Sequence, residues 1–185
     1  MRESTVARSY AEALFELGER HNLVEAFAEA FEAFTRLLES EPSVRAFLET
    51  PKVEPAEKKR VLRESLEGRV PPLFMNFLLL MIDKRRQRMI LPTAAEYRAL
   101  LDERLNRVHA QVTLAREPDE QTEREIAGQL SRVLGRTVIP HIKVDPKILG
   151  GIVVRYGDHI LDGSLRRKLT SLRRRLLEAE VPAAT

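Results

Sequence analysis

Cysteine and tryptophan are absent from the chain, and aromatic residues make up only 5% of its 185 residues. The lack of cysteine excludes disulfides, thiol nucleophiles and thiolate metal sites. The scarcity of aromatic side chains argues against a surface on which nucleic-acid bases stack. The chain also lacks a large excess of either charge, since the formal net charge is only +3 at pH 7. Such a mild excess does not by itself indicate a nucleic-acid partner.

Long hydrophobic runs are missing as well. The most apolar run covers residues 73–82 and is broken only by Asn76. A helix of this length spans about 15 Å, roughly half of a bilayer core. We therefore expect a buried helix that other elements surround on every side. The first residues have no apolar segment of the signal-peptide type, so we expect a soluble chain without a targeting segment.

The spacing of apolar residues changes near residue 106 and divides the chain in two. Before this point the spacing is helical, and prolines break it into six helices. After it, apolar and polar residues alternate as in strands, with one helix opened by Asp119 and one at the end of the chain. We predict an α+β fold that is mostly helical. Its domains would be an N-terminal six-helix bundle of residues 1–106 and a small C-terminal α+β unit of residues 107–185.

Half of the eight glycines fall within the stretch of residues 144–169. A phosphate-binding loop requires a strand, a glycine loop and a helix in succession, whereas Gly150 and Gly151 lead into a β-branched strand. We interpret the stretch as a set of structural turns, with a hairpin corner of the Gly-Asp type. The turn residues are Gly150, Gly151, Gly157, Asp158 and Gly163.

The sequence contains no convincing catalytic or metal-binding group. Asp145, Asp158 and Asp162 fit turn and cap positions, and a hydrolase carboxylate pair is an alternative with no further support. The four histidines are scattered without the spacing of metal ligands, so we expect surface imidazoles. They are His21, His109, His141 and His159. We accordingly predict a protein that is not an enzyme and binds no metal or cofactor.

The first helix has an apolar arc about twice as wide as one core-facing side requires. Its apolar residues form two neighbouring stripes. One stripe consists of Ala7, Ala11, Leu14 and Phe15, and the other of Val6, Tyr10, Ala13 and Leu17. Such a helix either packs against two sets of neighbours in its own bundle or keeps one stripe for a partner helix. The residues leave both possibilities open.

Basic residues form runs at Lys84–Arg88 and on the last helix. On the last helix we expect them to lie opposite a leucine stripe and to form a solvated face. An RNA-associated α+β protein is the alternative, although no aromatic platform accompanies the arginines. The stripe consists of Leu165, Leu169, Leu172 and Leu176.

Three motifs together carry a resemblance to a known family. They are T-V-A-R-S-Y-A-E-A-L-F at residues 5–15, F-L-L-L-M-I-D-K-R-R at residues 77–86 and V-D-P-K-I-L-G-G-I-V-V-R-Y-G-D-H-I-L-D-G-S-L-R-R-K-L at residues 144–169. In this order and spacing the chain resembles the delta subunit of F-type ATP synthase. The mitochondrial counterpart is the oligomycin-sensitivity-conferring protein. The resemblance covers nearly the full length.

The resemblance implies a non-catalytic subunit of the peripheral stalk, or stator. The six-helix bundle would sit on the catalytic head and hold the N-terminal helix of an alpha subunit between the first and fifth helices. The residues of this groove would be Tyr10, Ala13, Asn76, Phe77 and Leu80. The C-terminal unit would contact the C-terminal region of the b-subunit stalk, and we place this contact on the leucine stripe of the last helix.

Membership in such a complex would place the protein at the bacterial inner membrane, peripherally and on the cytoplasmic side. The membrane would be contacted only indirectly, through the complex, and no nucleic acid would be bound. The head would then resist the torque of the turning rotor.

Overall fold

The computed structural model describes residues 2–179, and the chain divides into two compact units between Arg104 and Leu105. Within the described residues the first unit is helical. Its helices are α1 (Arg2–His21), α2 (Val24–Ser40), α3 (Pro42–Glu49), α4 (Pro55–Leu66), α5 (Pro72–Asp83) and α6 (Ile90–Arg104).

Prolines determine where three of these helices begin. Pro42, Pro55 and Pro72 each lie in the first turn of a helix, where the backbone N–H that proline lacks would have no intrahelical partner. Pro92 likewise lies in the first turn of α6, after a 3-10 turn at Gln87–Met89. Proline at these positions fixes the start of a helix without breaking it.

Aromatic rings fill the core of the first unit. Phe31 meets Phe74 edge-on, with ring centroids 4.8 Å apart, and Tyr97 lies 5.2 Å from Phe31. The Tyr97 hydroxyl donates a hydrogen bond to the carbonyl oxygen of Val24 at 3.0 Å, which satisfies a polar group inside the core. A Cβ at Gly18 would lie 3.2 Å from this hydroxyl, so glycine allows α1 its close approach.

Lys58 is a buried cation that links two helices. It lies on α4, and its Nζ donates hydrogen bonds to the carbonyl oxygens of Leu48 at 2.8 Å and Thr50 at 2.6 Å. These carbonyls belong to the C-terminal end of α3, where the helix dipole favours a positive charge. Burial lowers the pKa of the Lys58 ammonium.

The second unit consists of a small mixed sheet with helices. Its elements are β1 (Arg107–Leu114), α7 (Glu120–Leu134), β2 (Thr137–Val144), β3 (Ile152–Tyr156), β4 (His159–Asp162) and α8 (Leu165–Ala179). The strand order is β2-β1-β3-β4. β1 and β2 are parallel and connected through α7, whereas β3 pairs antiparallel with both β1 and β4. The predicted fold class, a helical bundle followed by a small α+β unit, is confirmed.

One face of the sheet carries the second core. Ala110, Val112, Val138 and Val154 are buried there, with partly buried apolar residues of α7 packed against them. Asp119 caps α7 by accepting a hydrogen bond from the Thr122 N–H at 2.7 Å. Hydrogen bonding from the Thr122 side chain, and then from its backbone N–H, lowers the pKa of the Asp119 carboxyl.

One expectation about burial is wrong. The α5 helix is not surrounded on every side, because Leu80 is 42% exposed and Asn76 is exposed as well. The sheet brings two of the histidines together, since His109 Nδ1 lies 2.8 Å from His141 Nε2 on the neighbouring strand, with the two rings stacked. The parallel register of β1 and β2 brings this pair together on the face of the sheet away from the second core.

Candidate functional site

The two apolar stripes of α1 have different surroundings. The stripe of Ala7, Ala11, Leu14 and Phe15 is buried in the bundle. The other stripe remains at the surface, with Ala13 exposed and Val6, Tyr10 and Leu17 only partly buried. An apolar stripe that its own bundle covers only in part is available to a partner.

The open face of α5 lies beside this second stripe. The Tyr10 ring meets the Phe77 ring edge-on, with centroids 6.4 Å apart. Phe77 is itself buried, at 5% exposure, while Asn76 and Leu80 lie one helical turn apart on the surface of α5. Together with Ala13, these are the residues predicted to hold a partner helix, and we call them the α1/α5 groove: Tyr10, Ala13, Asn76, Phe77 and Leu80.

The predicted groove residues do not all have the same position within it. The rings of Tyr10 and Phe77 are in contact. Phe77 is buried in the core, and Tyr10 packs over it and is partly exposed. Ala13, Asn76 and Leu80 are exposed along the rims. A partner helix would therefore contact Tyr10 and the three exposed residues directly. Phe77 would affect its binding mainly by positioning the Tyr10 ring.

Arg86 contacts Tyr10 of the α1/α5 groove. Its Nη1 donates a hydrogen bond to the Tyr10 hydroxyl at 2.9 Å, and its guanidinium carbon lies 5.8 Å from the centroid of the Tyr10 ring. This geometry combines a hydrogen bond with a cation–π contact. Arg86 was not among the predicted groove residues, although it ends the second of the three family motifs.

Charges around the groove are mostly paired. Asp83 on α5 accepts from Lys59 at 2.7 Å, and Glu12 on α1 accepts from Arg8 at 2.9 Å. Within residues 2–179, Arg86 forms no ion pair with a carboxylate. Apart from Asn76 and the Tyr10 hydroxyl, the side chains of the α1/α5 groove are apolar, and the Arg86 cation lies against Tyr10.

A cleft of about 620 Å³ continues beyond Arg86. Val6, Ile82, Lys58 and Gln87 contribute to its walls, and the Oε1 atom of Gln87 is buried in the described structure without a hydrogen-bond partner. The cleft extends the accessible surface past the N-terminal end of the exposed stripe on α1.

The last helix presents the second candidate surface. We define the leucine seam as Leu165, Leu169, Leu172 and Leu176, whose exposure ranges from 46% to 58%. Exposed large apolar side chains in one row mark an interaction surface more often than a solvated face.

The start of α8 is held by a cap and a turn. The Ser164 hydroxyl accepts a hydrogen bond from the Arg167 N–H at 3.1 Å, and the Asp162 carboxylate accepts one from the Ser164 N–H at 3.0 Å. Hydrogen bonds from Ser164 hold the pKa of Asp162 below its usual range. The Leu165 N–H also donates to the Gly150 carbonyl at 2.9 Å, which ties α8 to the turn before β3.

The glycines of this region lie at turns. Gly151 has a φ of +76°, and a Cβ there would collide with the carbonyl oxygen of Gly163. Gly157 has a φ of +52° at the corner between β3 and β4, next to Asp158, with open space around it. A Cβ at Gly150, where φ is +150°, would meet the Leu165 side chain at 2.8 Å. These residues shape the path into α8.

Metal-ligand clusters and membrane-spanning helices are both absent from the part of the chain that the structure describes. It holds no group of three or more histidine, aspartate or glutamate side chains able to bind a metal ion. Nor does any described helix combine the length and the apolar character that crossing a membrane requires.

Comparison with known proteins gives a consistent family match. The family model described as "ATP synthase delta (OSCP) subunit" matches residues 6–176. The chain is 43% identical to an ATP synthase subunit delta of Gemmatimonas aurantiaca over 93% of both chains. It is 37% identical to the subunit of the same name from Desulforamulus reducens, covering 96% of this chain and 98% of the other.

Among solved structures, one chain of the Toxoplasma gondii mitochondrial ATP synthase hexamer has a similar fold. The TM-score is 0.66, and the match covers 96% of this chain and 98% of that chain. At 24% sequence identity, this likeness bears on the fold alone.

Proposed function

The chain belongs to the ATP synthase delta (OSCP) subunit family, and we propose from this premise that it is a non-catalytic peripheral-stalk subunit of an F-type ATP synthase. The family predicted from the three sequence motifs is thereby confirmed, and the RNA-associated alternative finds no support. In this function the subunit links the catalytic head to the stalk.

The α1/α5 groove is the proposed attachment to the head. The observation that carries the proposal is the second stripe of α1, which stays at the surface beside exposed Leu80 on α5. An amphipathic helix that places apolar side chains at i, i+3, i+4 and i+7 fits such a surface. The N-terminal helix of an alpha subunit is the proposed occupant.

The mechanical demand is that the head must not turn with the rotor. An apolar helix bound in a groove could hold the head in place, because this contact requires no proton transfer and no change of charge. A dissociation constant near nanomolar would correspond to about 12 kcal/mol of binding free energy. We expect an affinity of this order if the joint is to persist through many catalytic cycles.

The leucine seam of α8 is the proposed attachment to the stalk. Its leucines are exposed, and its first turn is fixed to the sheet by the Ser164 cap and the bond from Leu165 to Gly150. We propose the C-terminal region of the b subunit as its occupant. The two attachments would lie on different units of the chain, so that one subunit spans from the head to the stalk.

The proposed location follows from the complex. The protein would be peripheral at the bacterial inner membrane, on its cytoplasmic side, and would reach the membrane only through its partner subunits.

The groove is tested by calorimetry with the full chain and a synthetic peptide of the alpha-subunit N-terminus. Tyr10→Asp should weaken binding by several kcal/mol, because it places a charge in an apolar contact. Tyr10→Phe keeps the ring, and Gln129→Asp introduces the same charge at an exposed position on α7, so both should bind more tightly than Tyr10→Asp. Wild-type affinity in Tyr10→Asp would remove the groove from the proposal.

Salt provides a second test of the same interaction. Binding of a helix to an apolar groove should change little with salt concentration, whereas binding of RNA through phosphate contacts falls steeply. A steep salt dependence that requires Arg173 to Arg175 would favour the RNA-associated alternative.

A further inference from the structure

The spacing of the leucine seam is that of a coiled coil. Its leucines are separated by four, three and four residues. This is the sequence of d, a, d and a positions in a heptad, and it produces a narrow apolar row that packs into the side chains of one facing helix. The broader stripe of an ordinary core-facing helix would include a third apolar position in each heptad.

The heptad assignment places basic residues on both flanks of the seam. With Leu165 at d, the e positions hold Arg166 and Arg173, and the g positions hold Lys168 and Arg175. At about 100° per residue these four lie roughly 70–90° from the centre of the seam. The expectation that the basic residues lie opposite the leucines is therefore wrong for them, and it holds only for Arg167 and Arg174.

All four flanking side chains are exposed, and none of the four forms an ion pair within residues 2–179. In coiled coils the e and g positions form the salt bridges that select the partner. A second copy of α8 would bring like charges together on both flanks, which is unfavourable. A helix with carboxylates at its own e and g positions would pair with them.

We propose that α8 binds its partner as one strand of a short coiled coil, and that the partner is a heptad helix with acidic e and g positions. This deepens the proposed stalk contact and rests on the proposed function for the identity of the partner subunit. The charge pattern on α8 sets the chemistry that this partner must have. It also disfavours pairing of this exposed leucine row with a second copy of α8.

The experiment compares two designed four-heptad peptides with identical leucines and isoleucines at a and d. One carries glutamate at every e and g position, and the other carries lysine there, so each peptide repels itself. Binding to the full chain is measured by fluorescence anisotropy at low and high salt. The acidic peptide should bind about tenfold more tightly than the basic one, and this preference should shrink as salt screens the pairs.

A charge-reversed variant gives the decisive comparison. Replacing Arg166, Lys168, Arg173 and Arg175 with glutamate should invert the preference, so that the basic peptide binds more tightly. A matched control is Arg124→Glu with Arg132→Glu on α7, which changes charge in the same unit and should leave the preference unchanged. Leu169→Ala with Leu172→Ala should abolish binding of the acidic peptide. Circular dichroism verifies that each variant remains folded.

Three results would overturn the proposal: no binding of the acidic peptide, equal binding of both peptides, or an unchanged preference after charge reversal. A further measurement distinguishes failure of the coiled-coil inference from failure of the proposed stalk contact. It is the binding of a soluble C-terminal segment of the b subunit, from the same organism, to the wild type and to the charge-reversed variant. If that segment binds the wild type and the charge-reversed variant equally, the coiled-coil inference fails while the stalk function stands. If the acidic peptide binds and the segment does not, the inference stands and the proposed stalk contact fails.

Discussion

The guanidinium of Arg86 holds the ring of Tyr10 against the bundle. It donates a hydrogen bond to the Tyr10 hydroxyl at 2.9 Å and lies 5.8 Å from the ring centroid, while the other edge of the ring meets Phe77. Tyr10 is thus contacted by the middle of α5, through Phe77, and by the turn that follows α5, through Arg86, so its ring is positioned before any partner binds.

We expect Arg86→Ala to weaken binding of an alpha-subunit N-terminal peptide by about 1–2 kcal/mol. The hydrogen bond and the cation–π contact are both lost, so the Tyr10 ring has to be ordered at the time of binding. Isothermal titration calorimetry measures the change. Lys84→Ala removes the same charge from an exposed neighbouring position and serves as the control. Equal losses in the two variants would indicate a general effect of charge and contradict positioning by Arg86.

Two neighbouring lysines on α4 should respond differently to replacement. Lys58→Met leaves two carbonyls at the end of α3 without their buried donor, and we expect a loss of about 2–4 kcal/mol in the free energy of unfolding. Lys59→Met removes only the partly exposed pair with Asp83, for which we expect a loss of about 0–1 kcal/mol. Urea unfolding of both variants measures the difference. Equal values would show that the carbonyls find another donor.

Tyr97 should make the first unit sensitive to alkali. Burial raises the pKa of its hydroxyl, with a smaller contribution from Glu19, so the unfolded chain loses this proton before the folded chain does. Its contribution to stability is therefore complete below the ordinary tyrosine pKa near 10 and declines as the pH rises above that value.

The test compares wild type with Tyr97→Phe at pH 7 and pH 11. At pH 7 the variant should be less stable by about 1 kcal/mol, because the hydrogen bond to Val24 is lost. At pH 11 the stability difference should shrink or reverse, since phenylalanine has no proton to lose. Phe31→Leu changes the same aromatic cluster without an ionisable group, so its stability deficit should be similar at both values. A Tyr97→Phe deficit that stays constant with pH would contradict the prediction.

Replacement of Gly151 should damage the second unit far more than replacement of Gly157. In Gly151→Ala the Cβ collides with the backbone of Gly163, so the turn before β3 must rearrange, and we expect a loss of about 3 kcal/mol or more in unfolding free energy. In Gly157→Ala the added Cβ would contact no other atom. Only the left-handed backbone conformation of the alanine is unfavourable, and it should lower the unfolding free energy by about 1–2 kcal/mol. Hydrogen exchange of the amides of β1 and β3 reports on this unit alone. Similar protection in both variants would contradict the steric argument.

Local patterns in the sequence predicted much of the fold. The helix starts at Pro42, Pro55 and Pro72 depend only on neighbouring residues, because proline fixes φ and lacks a donor. The change from helical to alternating spacing near residue 106 is likewise a local signal, and the structure has its strands after that point. The two stripes of α1 were also recognisable, although the residues alone left open whether both pack within the bundle or one is kept for a partner helix.

Features that depend on distant parts of the chain were not predictable. The contact between His109 and His141 requires the register of two parallel strands, which the spacing within either strand does not contain. The bond from Arg86 to Tyr10 requires the relative placement of α1 and the end of α5. The periodicity of α5 did not predict the exposure of Leu80, since a nearly uniform apolar helix gives no periodic signal of its open side, and only the family resemblance placed Leu80 in a partner groove.

The edges of the sheet limit how this chain assembles. Edge strand β2 contains Pro140, which offers no backbone N–H to an incoming strand, and the opposite edge strand β4 is only four residues long. Strand addition, by which a sheet grows without a defined end, is therefore disfavoured on both sides. The two surfaces proposed for attachment, the α1/α5 groove and the leucine seam, instead lie on helices, where one partner helix would fill the available space. Each proposed attachment would then take a single partner, as a coupling between two larger bodies requires.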